Sequence, residues 1–171
     1  PILKQACHRV LASLQSRHVQ YAMDGSRNIW LTKAPEACRG VGISLHRKLE
    51  EILEVADRFP GRVAQKYVEN SKLWEKRKFD LRCWVLLVGG GSCDFDAYIY
   101  EPLYARLCAK AWSLDDHLLL DEKRHLSNLA VNKGSADNLL GTQSDLETMV
   151  DFEKVRRGIR KIVTALARTA H

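Results

Sequence analysis

The chain has 171 residues, of which 46% are hydrophobic and 28% charged. This is enough for one domain with a core, and it is unlike a disordered segment. No apolar run is long enough to span a membrane and no signal peptide is visible, so we expect no membrane partner. The five cysteines lack Cys-x-x-Cys spacing and the six histidines make no zinc pattern. The odd number and the scatter of the cysteines favour reduced thiols in a cytoplasmic protein, and the histidines do not indicate a zinc site.

The net charge of +6 favours an acidic partner, which charge alone does not identify. Nucleic acid, an anionic membrane and an acidic polypeptide tail are all negatively charged, so each of them could be that partner. No recognised nucleic-acid motif is present, so nucleic acid ranks low among the three.

The first elements in chain order are a helix and a short strand. Apolar residues over 2–15 recur at the spacing of one helical stripe and predict a packing helix. A turn signal at 24–26 precedes a strand over 28–33, in which Ile29, Leu31 and Lys33 share a face.

A glycine-containing segment, 35–44, follows and includes Arg39, Gly40 and Gly42. Glycines permit positive φ and let backbone amides close on a phosphate, although the pattern alone is typical of a turn. It is not a Walker A loop, because no Gly-Lys-Ser/Thr follows. A helix is then predicted over 45–58, ended by Pro60-Gly61, and a strand over 62–68. The predicted buried stripe of the helix is Leu45, Leu49, Ile52, Leu53 and Ala56.

The stretch 78–88 predicts one continuous strand with two unlike faces. Lys78, Asp80 and Arg82 share one face, about 7 Å apart from one to the next. This face is typical of a cleft lining, or of an exposed edge strand with a solvated salt bridge; the segment alone leaves both open. The residues that share the other, apolar face are Phe79, Leu81, Cys83, Val85 and Leu87.

The remainder predicts a hairpin and a C-terminal helix. A strand over 94–100 follows the triple glycine at 89–91, which indicates a hairpin. Residues 132–143 read as a loop, and Arg106 by itself is typical of a surface residue. Ser144 and Glu147 have capping-box spacing, so a helix with a basic solvated face is expected from there to the C-terminus.

These stretches together resemble the tubulin–tyrosine ligase and ligase-like family, ATP-grasp enzymes that join an amino acid to tubulin or another protein through an acyl-phosphate. The resemblance covers 28–133 and is densest in the segment Lys78-Phe79-Asp80-Leu81-Arg82-Cys83-Trp84. It implies an α/β (α+β) fold with an ATP-grasp-like core, a mixed or antiparallel sheet flanked by helices, incomplete at both ends. We expect residues 1–171 to form one such partial domain.

The resemblance also implies the roles of individual residues. It implies ATP and Mg²⁺ as cofactors, with no metal ligand in this chain, because the family's late Glu-x-Asn carboxylates are not reached. The residues with implied catalytic roles are Lys78, Asp80, Arg82 and Arg106. The residues implied to bind nucleotide are Lys33, Arg39, Gly40, Gly42, Gln65, Lys66, Tyr67, Val68, His125, Ser127 and Asn128. Among them, 65–68 is implied to be the hinge between two subdomains, where the backbone contacts the adenine and the side chains of Gln65 and Lys66 approach the base and the phosphates.

The implied function is an ATP-dependent ligase that adds an amino acid to the acidic C-terminal tail of tubulin. The spacing Arg82-Cys83-Trp84 resembles the glycine-adding branch, with glutamate or tyrosine as the alternative amino acids. Tubulin or microtubules and a free amino acid are the implied partners, in the cytoskeleton or an axoneme of a cilium or flagellum. The competing hypothesis is a non-catalytic module that binds tubulin. Without the metal carboxylates, we expect these 171 residues alone to bind ATP poorly and to be catalytically silent.

Overall fold

The structure is a computed structural model that describes residues 2–18, 20–89, 95–136 and 138–169. Its helices are α1 (Ile2–Arg17), α2 (Tyr21–Asp24), α3 (Leu49–Arg58), α4 (Glu122–His125), α5 (Leu129–Asn132), α6 (Gln143–Leu146) and α7 (Phe152–Thr169). Its strands are β1 (Trp30–Lys33), β2 (Ser44–His46), β3 (Val63–Lys66), β4 (Leu73–Trp74), β5 (Arg77–Arg82), β6 (Val85–Gly89), β7 (Phe95–Ile99), β8 (Tyr104–Leu107) and β9 (Leu140–Thr142).

The strands form three sheets, in the orders β2-β1-β3, β4-β5-β8-β9 and β6-β7. Every pairing between the described strands is antiparallel. This mixture of helices and antiparallel sheet is consistent with the α+β, ATP-grasp-like class expected from the sequence. Among the described residues, no helix has both the length and the apolar character needed to cross a membrane.

The first core lies on one face of the β2-β1-β3 sheet. Ile29 and Leu31 alternate onto this face, and Leu45 lies opposite Leu31 in the neighbouring strand. Tyr67 follows β3 and donates its backbone N–H to the Ile29 carbonyl at 3.0 Å, which fixes its ring in the same core. Because side chains alternate along a strand, Lys33 stands at the end of this buried row.

The second core lies under the sheet that contains β5 and β8. Phe79 and Leu81 pack against buried Ala105 and Leu107, with Phe152 of α7 completing the cluster. The apolar face predicted for the first half of the 78–88 stretch is therefore confirmed. By alternation, the charged residues of β5 project from the opposite face of the sheet.

The prediction of one strand over 78–88 is wrong, because the chain changes partners in the middle. Residues 79–82 pair with β8, whereas Val85 onward pairs with β7. Residues 83 and 84 belong to neither ladder. The side chains of Val85 and Leu87 are exposed and do not extend the buried face. The predicted hairpin is confirmed by the β6-β7 pairing, while Gly90 and Gly91 of its expected loop lie outside the described residues.

Both N-terminal helix predictions need correction. Residues 2–15 are helical, but α1 leaves Val10, Leu11 and Leu14 exposed, so it does not pack as expected. The helix predicted over 45–58 begins only at Leu49, since Leu45 belongs to β2. Its apolar stripe is not buried either. Leu53 is exposed, Leu49 is 63% exposed, and α3 has no buried residue.

The region before α7 also differs from the prediction. Within the expected 132–143 loop, β9 pairs with β8 at Ala105 and Gly141. The capping box lies two residues earlier than predicted, between Thr142 and Asp145, and it starts the short α6. The predicted C-terminal helix is a separate element, α7, in which Phe152 and Val163 are buried.

Candidate functional site

The charged face of β5 meets a polar face of β8. Asp80 lies directly opposite Arg106, and Arg82 opposite Tyr104. The Lys78 carbonyl accepts the backbone N–H of Cys108 at 2.9 Å. Lys78, Asp80 and Arg82 therefore share a surface with the side chains of β8, inside a four-stranded sheet. This agrees with the cleft-lining interpretation of the sequence.

Asp80 and Arg106 form a bidentate ion pair. Arg106 donates from Nε to Oδ1 of Asp80 at 2.8 Å and from Nη2 to Oδ2 at 2.5 Å. Ser127 adds a third hydrogen bond, from its hydroxyl to Oδ2 of Asp80 at 2.9 Å. The hydrogen bond with Asp80 raises the pKa of Arg106. The guanidinium is held in one orientation by this pair, which is what binding an anion in fixed geometry requires.

Lys78 is held over an aromatic ring. Its ammonium nitrogen lies 4.0 Å from the ring centroid of Tyr67, in cation–π geometry. Burial lowers the pKa of Lys78 to about 8, opposed by Cys108 and Asp80 and assisted by the charge of Lys33. Lys33 thus lies close enough to Lys78 for the two charges to interact.

The predicted hinge residues divide between two faces of β3. Lys33 donates to Oε1 of Gln65 at 2.7 Å, so these two site residues are in direct contact. Lys66, by strand alternation, projects from the opposite face. Its ammonium donates to Oε1 of buried Glu69 at 2.6 Å and to the Asp24 carbonyl at 2.6 Å. Val68 is half-buried, and its carbonyl accepts the hydroxyl of Ser71. The structure therefore does not bring Lys66 together with Lys33 and Gln65.

His125 is 2% exposed and both of its ring nitrogens are engaged. Nδ1 lies 3.1 Å from the hydroxyl of Tyr67, and Nε2 lies 3.4 Å from the Leu118 carbonyl. A neutral ring that donates from Nε2 and accepts at Nδ1 satisfies both contacts. Burial is the main cause of the lowered pKa of His125, which favours that neutral form.

The glycine segment between β1 and β2 closes over the loop that contains Asn128. Arg39 and Gly40 both have positive φ, at 60° and 89°. A Cβ on Gly40 would stand 2.8 Å from Cγ2 of Val131 and 3.1 Å from Oδ1 of Asn128. The close approach to Val131 and Asn128 therefore needs glycine here, in addition to the positive φ that the sequence pattern permits. Gly42 also has positive φ, and its carbonyl accepts Nη1 of Arg62 at 2.7 Å.

A cavity of about 640 Å³ separates this segment from the β5-β8 face. Three arginines line it, namely Arg39 from the glycine segment, Arg82 from β5 and Arg106 from β8. Asn128 lines it as well, so four predicted site residues meet at one cavity. The guanidinium of Arg82 lies 4.3 Å from the ring centroid of Trp84, which restrains its direction. The cavity is suited to an anion with several oxygens.

The chemistry of the donor set fits phosphate better than a metal ion. Three arginines line the cavity, and their hydrogen-bond donors match phosphate oxygens. Within the described ranges, no group of three or more His, Cys, Asp or Glu side chains is placed to hold a metal ion. The four cysteines that the structure describes are free thiols.

Sequence reasoning missed Glu69, which organises the base of the hinge. Glu69 is 1% exposed and accepts the backbone N–H groups of Arg27 at 2.7 Å and Ile29 at 2.9 Å, besides the Lys66 ammonium. A carboxylate three residues after a lysine is the available signal. It does not identify the role of Glu69, because the strand pattern does not reveal that the residue is buried.

An antiparallel α+β core that brings three arginines to one cavity has the charge and the donor geometry to bind an anion such as phosphate. The model of the tubulin-tyrosine ligase family matches residues 4–162. The chain therefore belongs to the tubulin-tyrosine ligase family.

Tubulin glycylases are among the relatives that the chain resembles. It is 29% identical to tubulin glycylase 3A of Drosophila melanogaster over 169 residues, 95% of this chain and 16% of the relative. It is 35% identical to tubulin monoglycylase TTLL3 of Homo sapiens over 135 residues, 75% of this chain and 17% of that protein. It is 29% identical to tubulin glycylase 3E of Tetrahymena thermophila over 150 residues, 82% of this chain and 10% of that protein. The chain thus spans less than a fifth of the length of each of these relatives.

Proposed function

We propose that this chain is the nucleotide-binding part of an ATP-dependent ligase that adds an amino acid, with glycine favoured, to an acidic tail of tubulin. The observation that carries the proposal is the cavity lined by Arg39, Arg82 and Arg106. The tubulin glycylases to which the chain is similar support tubulin as the substrate and glycine as the amino acid. The cytoskeleton is the corresponding location.

The reaction has two steps. A carboxylate of the tubulin tail attacks the γ-phosphorus of ATP, which forms an acyl-phosphate and releases ADP. The amine of the free amino acid then attacks the acyl carbon, loses a proton and expels inorganic phosphate. Both steps concentrate negative charge on phosphoryl oxygens, so catalysis depends on positioning and charge neutralisation.

Two sets of residues divide this work in the proposal. Lys33, Gln65 and the ammonium of Lys78 face the nucleotide, beside the backbone of Tyr67 and Val68. The second set neutralises the transferring phosphoryl group and orients the tail carboxylate, and it consists of Arg82, Arg106 and Arg39. Asp80 and Ser127 hold Arg106 in place through the hydrogen bonds described above.

Mg²⁺ is part of the proposal because phosphoryl transfer from ATP requires it. When bound, Mg²⁺ would supply further positive charge to the phosphates. The described residues hold no group suited to bind it, so no part of the proposal is assigned to a metal ligand of this chain. The positive charge that the chain itself brings to the phosphates comes from lysine and arginine side chains.

The test is a ligation assay on the protein that carries this chain. ATP, Mg²⁺, tubulin and either glycine, glutamate or tyrosine are supplied, and mass spectrometry reads the residue added to each tail. We expect glycine addition, with Lys33→Ala and Asp80→Ala each reducing it at least tenfold while tubulin cosedimentation is kept. Lys4→Ala and Asp57→Ala, at exposed helix positions, serve as matched controls. Cosedimentation without addition of any amino acid would support the non-catalytic module instead.

A further inference from the structure

We propose that the side chains of Tyr67 and His125 form a positioning pair that seats the ammonium of Lys78, and that neither side chain contacts the nucleotide. This inference rests on the proposed function for the role of Lys78. It changes the part played by His125, which the sequence placed among the nucleotide contacts. It also gives Tyr67 a side-chain role in addition to the backbone role expected of the hinge.

The first part of the argument is the burial of the pair. Tyr67 is 1% exposed and His125 is 2% exposed, so neither side chain offers a surface to a ligand. The two rings meet edge to face, with centroids 5.7 Å apart and planes at 81°. The Tyr67 hydroxyl lies 3.1 Å from Nδ1 of His125, and Nε2 is occupied by the Leu118 carbonyl. Every polar atom of the pair therefore already has a partner within the protein.

The second part is the position of Lys78 relative to the pair. The Lys78 nitrogen lies 4.0 Å from the centroid of the Tyr67 ring, so the face of the ring supports the cation. The backbone carbonyl of Lys78 is bonded to Cys108, which fixes the other end of the side chain. A flexible four-carbon stem is thus restrained at its base by the sheet and at its tip by the ring. Restraint of this kind lowers the entropy lost when the ammonium binds an anion.

The charged and titratable groups around Lys78 come from several elements. Asp80 shares its strand, Cys108 follows β8, and Lys33 ends β1. His125 meets the Tyr67 ring edge to face, and the pKa of His125 is lowered mainly by burial and in part by Lys78. A protonated His125 would repel Lys78 and would lose its ability to accept the Tyr67 hydroxyl. The neutral histidine and the aromatic ring together make the arrangement suitable for a cation.

The test is proton NMR of the nucleotide-free chain with ¹³C-labelled lysine. An ammonium over the face of a ring places its ε-methylene protons in the shielding region, so the Lys78 ε resonance should be displaced upfield. We expect Tyr67→Leu to abolish the displacement. Tyr67→Phe and His125→Leu should each reduce the displacement. The double variant should reduce it little further, because each single change already removes the hydrogen bond between Tyr67 and His125. Tyr98→Leu, at an exposed tyrosine, should leave it unchanged.

The unsubstituted chain alone can overturn the inference. A Lys78 ε resonance at the position of a solvated lysine would contradict it, whether or not any variant folds. A His125→Leu variant that keeps the full displacement would also contradict it, because the histidine would then not position the ring. These readings need no nucleotide. Failure of ATP binding by the protein that carries this chain would count against the proposed function, whereas an unshifted Lys78 counts against the positioning pair.

Discussion

Asp80 in β5 and Arg106 in β8 are register partners, and two hydrogen bonds of 2.8 Å and 2.5 Å join their side chains. Arg106 also lines the cavity that Arg39 and Arg82 share. The carboxylate of Asp80 therefore lies behind the arginine, where it fixes the direction of a positive charge. We therefore expect Asp80 to act by positioning Arg106 and not by contacting the substrate directly.

Exchanging the two charged residues of this pair should separate its contribution to stability from its contribution to ligation. Asp80→Asn should lower the free energy of unfolding by about 1–2 kcal/mol, because the charged Arg106 then faces a neutral amide in place of a carboxylate, at a half-exposed position. Asp80→Arg combined with Arg106→Asp should recover much of that stability. Ligation should remain lost in the exchanged protein, since the cavity then has a carboxylate in place of a guanidinium. Urea unfolding and the ligation assay measure the two effects, and recovery of ligation would show that the pair is only structural.

The glycine segment provides a second prediction, at Gly40. Gly40→Ala should destabilise the protein by about 1–3 kcal/mol, because alanine is strained at φ 89° and its Cβ would press on Val131. The control is Gly158→Ala in α7, where no atom lies within 4 Å of the added Cβ. That change should stabilise by about 0.5–1 kcal/mol, as alanine does in a helix interior. Thermal unfolding of both variants decides the matter, and equal shifts in Tm would contradict the close packing at Gly40.

The lowered pKa of Lys78 predicts how stability depends on pH. The pKa falls from 10.5 to about 8 on folding, so the unfolded chain binds more protons between these values. Stability therefore rises with pH from about 8 to about 10.5, as the cost of burying the charged lysine is relieved. The full effect is about 3 kcal/mol. Lys78→Met should flatten this rise.

The measurement is the difference in unfolding free energy between the wild type and Lys78→Met at successive pH values. Taking the difference removes the opposite trend from Cys108, whose pKa burial raises to about 11. A difference that stays constant between pH 7 and pH 10 would contradict a buried, charged Lys78.

Glu69 gives a prediction at the base of the hinge. Glu69→Gln should cost about 2–3 kcal/mol, because an amide cannot accept from two backbone N–H groups and the Lys66 ammonium as a carboxylate does. Burial alone would raise the pKa of Glu69, but the hydrogen bonds from Lys66, Ile29 and Arg27 lower it. Its contribution is therefore present above the unfolded pKa, and it is lost as pH falls through the lower folded pKa.

Urea unfolding of Glu69→Gln at neutral and at acid pH checks this account. The deficit relative to the wild type should be large at pH 7 and should shrink in acid. Glu75→Gln, at an exposed position, should be nearly neutral at both. If the two variants behaved alike, Glu69 would not organise the hinge.

Alternation along strands carried most of what the sequence could predict. It placed Phe79 and Leu81 in the core and Asp80 and Arg82 on the opposite face, as observed. It failed beyond Arg82, because a run of β-forming residues does not reveal where a strand changes its partner. The break at 83–84 depends on long-range pairing with β7 and β8, which local pattern does not contain.

Periodicity misled where apolar stripes are not buried. The stripe of α3 has the spacing of a packing helix, yet Leu49 and Leu53 are exposed in this chain. A motif places a side chain near a site but does not give its direction. Lys66 and His125 show this, since Lys66 projects to Glu69, whereas His125 is buried and hydrogen-bonded to Tyr67. Both positions follow from tertiary contacts that span about 40 residues or more.

The measurement that tests the central claim most directly is the mass of tubulin tails after incubation with ATP, Mg²⁺, glycine and the protein that carries this chain. The account predicts tails that gain glycyl residues, and a loss of that gain when Arg82 and Arg106 are both changed to methionine. Lys4→Ala should leave the gain intact. Unmodified tails from the unsubstituted protein, or full activity in the double arginine variant, would contradict a ligase that works through this cavity.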